Sequence, residues 1–105
     1  MIRMSEADWK RFRQVRELAL ERFCQRVLDE CQAISADSSR SAYDRYLAIY
    51  ELMQERDQAM ANGFDAPRRS TAVIQLSILR SLDLVTPEEV AQFSPPIQAA
   101  TTTGL

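Results

Sequence analysis

The sequence contains no histidine, and only 2 glycines and 4 prolines among 105 residues. Each shortage excludes a class of protein. Without histidine the chain lacks the usual acid–base catalyst at neutral pH, the commonest metal ligand and the customary activator of a nucleophilic thiol. Gly63 is the only glycine before Gly104, so no glycine-rich loop is available to cradle a phosphate. Pro67 is the first proline. A sandwich or barrel turns every few residues and is not built from so little turn chemistry.

Cysteine is scarce as well: Cys24 and Cys31 are the only two. On a helix their spacing gives about 10 Å of rise, beyond the Cα separation of roughly 4.4–6.8 Å that a disulfide tolerates. A disulfide scaffold and a zinc site both fail, leaving two reduced thiols on an apolar face. Long apolar runs are missing too. The longest, Tyr46-Leu47-Ala48-Ile49-Tyr50, falls far short of the roughly 20 residues that span a bilayer. Ser5 and Glu6 interrupt the N-terminus before any signal-peptide core develops. The expectation is a cytoplasmic protein with no membrane contact. Thirteen cations against 15 anions give a net charge of -2, which argues against wrapping duplex nucleic acid. Lys10 is the one lysine; the other cations are all arginine, whose planar fork favours fixed pairs over simple solvation.

What is present is helical periodicity. Ser5 reads as an N-cap with Asp8 three places on. Trp9, Phe12, Val15, Ala19, Phe23, Val27, Cys31 and Ile34 then recur at steps of three and four, with Leu18, Leu20, Cys24 and Leu28 widening the stripe. A helix of about 30 residues is about 45 Å long, more than a small domain is wide. Its exposed length calls for cover from later elements or from another chain. Ser35 to Arg40 breaks the pattern, and Ser41-Ala42-Tyr43-Asp44 repeats the start signal for a second helix running to about Asn62, with Asp37, Ser38 and Ser39 as alternative caps. Gly63 suits a left-handed stop, with Phe64 closing a Schellman end. Asp65-Ala66-Pro67 predicts a third helix, with Arg68 and Arg69 in its first turn and Ala72, Val73, Leu76, Leu79 and Leu82 as its buried stripe. Thr86-Pro87-Glu88-Glu89 is a capping box for a short fourth helix reaching about Phe93, with Val85 and Val90 as its staple. Ser94-Pro95-Pro96 ends it. From Leu76 through Leu79, Leu82 and Leu84 to Val90, the chain loosely resembles the helical hairpin called the short C-terminal domain. Leu82-Asp83-Leu84 stands where that family usually has a glycine, and no function is carried over.

The predicted fold is therefore all-α: two long antiparallel helices, a third packed across them and a short fourth. Residues 1–94 form a single helical domain and 95–105 a flexible tail. No cofactor or metal is implied. Glu17 with Glu21, and Glu51 with Glu55, share helical faces, but di-metal bundles add a Glu-x-x-His motif that this chain lacks. The expected function is non-enzymatic: a protein-interaction or oligomerisation module, self-associating as a homodimer. Trp9, Phe12, Val15, Tyr43, Tyr46 and Tyr50 are the candidate interface, although the tyrosines fit a core with hydroxyls at its rim equally well. The alternative is a small regulator that contacts nucleic acid, an acidic protein or another polyanion. It would use the basic patch Lys10, Arg11, Arg13 and Arg16, together with an anion site at Arg68, Arg69, Ser70 and Thr71.

Overall fold

A computed structural model of the chain describes residues 2–102 and is all-α, with no strand among them. Five helices follow in order: α1 Glu6–Ser35, α2 Ala42–Phe64, α3 Ala72–Ser81, α4 Pro87–Val90 and α5 Pro95–Ala100. The first two starts are the predicted ones. Ser5 and Ser41 accept the amides of Asp8 and Asp44, each satisfying one donor that a helix start leaves unpaired. α1 and α2 run antiparallel. Arg45 near the start of α2 reaches Ser35 at the end of α1, and Arg16 reaches Phe64 at the far end of α2.

The core is one-sided. Phe12, Val15, Ala19, Phe23 and Val27 form the inner stripe of α1, closed by Phe64 from α2 and by Ala72, Leu76 and Leu79 from α3. Leu84, Phe93 and Ile97 complete it from the C-terminal segment. Gly63 faces α3, where a Cβ would sit 3.4 Å from Leu79 Cδ2 and 3.6 Å from Ile78 Cγ2, ordinary contact distances that would admit a small side chain.

The helix ends depart most from expectation. Gly63 is not a left-handed stop. It lies within α2, and the chain turns instead at Asp65 (extended) and Ala66 (φ 44°). The Schellman end sits one helix later. After α3, Asp83 takes φ 61° while Leu84 N donates to Leu79 O and Asp83 N to Arg80 O. Elsewhere arginine replaces the missing glycine. Arg45 donates to Ser35 O at the end of α1 at 2.6 Å, and Arg16 to Phe64 O at the end of α2. Past α3, Arg26 donates to Leu82 O at 2.7 Å and Arg22 to Leu84 O at 2.8 Å. Arg80 donates to Gln98 O near the end of α5 at 2.9 Å. In every case the guanidinium comes from another element, so the bond that completes one helix also docks it on a neighbour.

Two further expectations are corrected. α3 starts at Ala72, not near Pro67, because Asp65 does not cap it; its amide and carbonyl are taken by Ala61 O and Gln75 Nε2. Residues 95–100 are not a flexible tail but α5, with Ile97 1% exposed. Asp8 accounts for this. Its carboxylate accepts Ser94 N at 2.9 Å and Ser94 Oγ at 2.6 Å, fixing the start of α5 on the first turn of α1. Burial opposes ionisation of Asp8, but the hydrogen bonds from Ser94 and Ser5 outweigh it and hold the carboxyl below its usual range. The remainder of the expected tail, residues 103–105, lies outside the described residues. α4 does carry its capping box, but it stops at Val90 and turns to Phe93. Glu89, within that box, also pairs with both Nη atoms of Arg22, at 2.7 and 2.8 Å. The Arg22 bond holds the Glu89 carboxyl at about 2, against the opposing effect of burial.

These contacts generate two predictions. Asp83→Gly relieves a left-handed residue with a side chain and raises stability by about 1 kcal/mol, read as a higher urea midpoint. For Glu89 the folded pKa lies below the unfolded value, so its contribution is complete above the ordinary glutamate range and fades as pH falls towards about 2. Glu89→Gln should remove about 1 kcal/mol at neutral pH, a figure discounted for solvent screening, and lessen the fall in melting temperature below pH of about 4.5.

Candidate interaction surface

The α1–α2 hairpin outruns the rest of the molecule. The chain measures 52 × 26 × 24 Å, and the buried residues of α1 stop at Val27. From Leu28 through the connecting loop to Glu51, every residue is exposed or half-buried. This tip is held by polar clamps rather than by a core. Arg56 grips Glu30 through Nε at 3.3 Å and Nη2 at 2.8 Å, drawing the Glu30 carboxyl below its usual range. Arg45 ties the two ends at Ser35, and Cys31 Sγ lies 3.9 Å from Met53 Sδ.

One flank of the hairpin is apolar. Cys24 and Leu28 from α1 and Met53 and Met60 from α2 border a groove of about 180 Å³ floored by Phe23 and Val27. Its charged borders are Arg56 and Asp57, one of each sign. Tyr50 and Tyr46 continue the same side of α2 beyond Met53 at steps of three and four. Tyr43, Tyr46 and Tyr50 are 68%, 66% and 55% exposed, while Leu28 and Met53 are 62% and 44%. Together these side chains present roughly 500 Å² to solvent, against about 300–600 Å² for the largest apolar patch of an ordinary monomer. The tyrosines are thus rim and surface, not core.

The other candidate interface residues behave differently. Phe12 and Val15 are 0% and 2% exposed within the chain's own core, so they have no surface to offer a partner. Trp9 is half-buried, stacked on Phe12 at 5.8 Å and covered by the Arg13 guanidinium at 5.6 Å. Leu28, Cys24, Met53 and Met60 were not among the predicted interface residues. The signal for Leu28 and Cys24 was the unusual width of the α1 stripe, more than one helix needs to face a core; Met53 and Met60 lie on the tyrosine face of α2.

The basic patch does not stay together. Arg16 turns inward to Phe64 and lies over its ring at 5.8 Å, and Arg11 bonds Gln14 at 3.1 Å. Lys10 and Arg13 remain exposed on the flank of α1. The tentative anion site is also divided. Arg69 is held by Met4 O at 3.0 Å and by Glu6 at 2.8 Å, whereas Arg68 and Ser70 are exposed. Thr71 donates its hydroxyl to Arg68 O at 3.2 Å. Among the described residues no cluster of three or more acidic or cysteine side chains is placed to hold a metal ion. No described helix is long and apolar enough to cross a membrane.

No family model matches the chain, and no curated protein or solved structure is similar to it. The likeness of residues 76–90 to the short C-terminal domain has no family match behind it.

Truncation should separate core from surface. Phe12→Ala costs about 3–5 kcal/mol, while Tyr50→Ala shifts monomer stability by no more than about 0.5 kcal/mol. Urea unfolding under dilute conditions that keep the chain monomeric checks both.

Proposed function

We propose that this chain is a non-enzymatic self-association module, in which the apolar hairpin flank of one copy packs on the same flank of a second. The observation that carries the reading is the stretch from Leu28 to Glu51, which has exposed Leu28, Tyr43, Tyr46 and Tyr50 and no buried position, with exposed Met53 just beyond it. Two antiparallel helices exposing one apolar face are half of a four-helix bundle, and a second hairpin supplies the other half. A stable interface buries about 800 Å² per partner, of which the exposed flank already offers the larger part as unpartnered side chains.

Charge favours a second copy over an acidic or basic partner. The groove borders carry one cation and one anion, Arg56 and Asp57, and Arg56 is already paired with Glu30, so the flank presents no charge of one sign for a charged partner to read. Tyrosines at the margin suit an interface that is apolar inside and wet outside, and Tyr50 already accepts from Gln54 at 3.2 Å.

Light scattering coupled to size exclusion tests the reading. The expected mass is twice the 12.0 kDa of the chain. Leu28→Glu together with Tyr50→Glu should return it to 12.0 kDa with an unchanged helical circular-dichroism spectrum, both sites being exposed. A wild-type mass of 12.0 kDa at micromolar concentration overturns self-association.

A further inference from the structure

Sulfur is unevenly placed in this molecule. Cys24 and Cys31 are two turns apart on α1, and Met53 and Met60 are two turns apart on α2, so each pair keeps to one face of its helix. Because α1 and α2 run antiparallel, Cys31 stands level with Met53 and Cys24 with Met60. The first pair is in contact, Cys31 Sγ donating to Met53 Sδ at 3.9 Å, and Cys24, Met53 and Met60 all border the apolar groove. Among the described residues the remaining sulfur belongs to Met4, in the core.

Exposure ranks these side chains. Met53 is 44% exposed, Met60 and both cysteines are half-buried, and Met4 is 2% exposed. Met53 also holds the middle of the flank, with Tyr50 and Tyr46 beyond it on one side along α2 and Met60 on the other. The most reachable thioether is thus at the centre of the apolar surface. Oxidation converts a thioether from a flexible apolar group into a polar, chiral one, and so acts most strongly where an apolar surface has to be covered.

We infer that Met53 is an oxidation site through which a peroxide controls self-association, an inference that rests on the hairpin flank being the self-association surface. A lone pair of Met53 Sδ attacks one peroxide oxygen. The O–O bond breaks as the sulfur–oxygen bond forms, and the departing hydroxide takes a proton to become water. The sulfur is oxidised by two electrons and the peroxide is reduced by two. In a separate chain, water solvates the new oxygen; between two packed copies it is buried, at a cost wherever no donor meets it. A second copy covers Met53, so the reaction proceeds on separate chains and then holds them apart.

The test treats the full chain with hydrogen peroxide under mildly acidic conditions. A thioether reacts without losing a proton, whereas a thiol reacts as its thiolate, so acid favours methionine over cysteine. Peptide mass spectrometry locates the added oxygen, and light scattering at neutral pH gives the mass. Met53 should be oxidised before Met60, with Met4 spared. The mass should fall from twice 12.0 kDa to 12.0 kDa, the helical circular-dichroism spectrum being retained. A concentration series should show the association weakened about tenfold or more. Methionine sulfoxide reductases supplied with dithiothreitol should restore the doubled mass. Dithiothreitol alone, which reverses disulfides and sulfenic acids but not a sulfoxide, should leave it at 12.0 kDa. Met53→Leu, compared with its own untreated state, should lose the response to peroxide. Should that variant itself stay single, the two reducing treatments of the wild type decide the matter. An untreated mass of 12.0 kDa overturns self-association and its control together. A doubled mass that persists once Met53 is oxidised, preferential oxidation of Met60, recovery with dithiothreitol alone or an undiminished response in Met53→Leu overturns the control by itself.

Discussion

The structure depends on how its helices end. A helix leaves its last carbonyls without partners, and the common solution is a glycine in the left-handed conformation followed by a reversal of the chain. With Gly63 the one glycine among the described residues, and not in that role, this chain closes its ends with guanidinium groups. Arg45, Arg16, Arg26, Arg22 and Arg80 each reach from one element to a terminal or post-terminal carbonyl of another. A glycine cap is local, whereas an arginine cap carries tertiary information, because the helix end is satisfied only when the neighbouring helix stands in register. Lysine would serve poorly here. One arginine often meets two acceptors at once, as Arg22 does with Leu84 O and Glu89 and Arg69 with Met4 O and Glu6.

Two buried or half-buried carboxylates complement the arginines from the anionic side. Asp8 gathers the start of α5 and Glu89 gathers α4, each holding an element too short to bury a stripe of its own. Short helices contribute little by propensity, so their position rests on such contacts and on single anchors such as Ile97. All of this reinforcement lies at one end of the hairpin. The other end has Arg56 on Glu30 and Arg45 on Ser35, with apolar surface exposed between the clamps.

Much of this was legible in the sequence. The serine starts at Ser5 and Ser41, the capping box at Thr86 and the inner stripe of α1 all follow from local rules, and all are present. Where reading failed, a side chain distant in sequence had intervened. Gly63 suggested a stop because glycine usually supplies one; here it sits inside α2 against α3, and Arg16 takes the terminal carbonyl of Phe64. Residues 95–105 read as a flexible tail because so little in them can be buried locally, and the bonds from Ser94 to Asp8 that seat α5 span most of the chain. Phe12 and Tyr46 have the same helical spacing and similar apolar character, yet one is core and the other surface. Periodicity marks a face without saying what covers it. The width of the α1 stripe was the one local sign that cover would run out, and Leu28 and Cys24 are where it does.

The uneven cover also sets a gradient of local opening along α1. At Phe12 or Ala19 an amide is released to exchange with solvent only when the packed end of the molecule comes apart, because those residues are locked by α3 and the C-terminal helices. At Gln32 or Ala33 it needs only the hairpin to fray from its loop inward, past Arg45 and then Arg56. The same helix thus has a deeply protected root and a shallowly protected tip. A surface that opens this readily gains its own rigidity when it is covered, and part of the free energy of docking is taken up in ordering it. An association through the exposed flank, as proposed, would therefore be reversible and responsive to concentration rather than permanent.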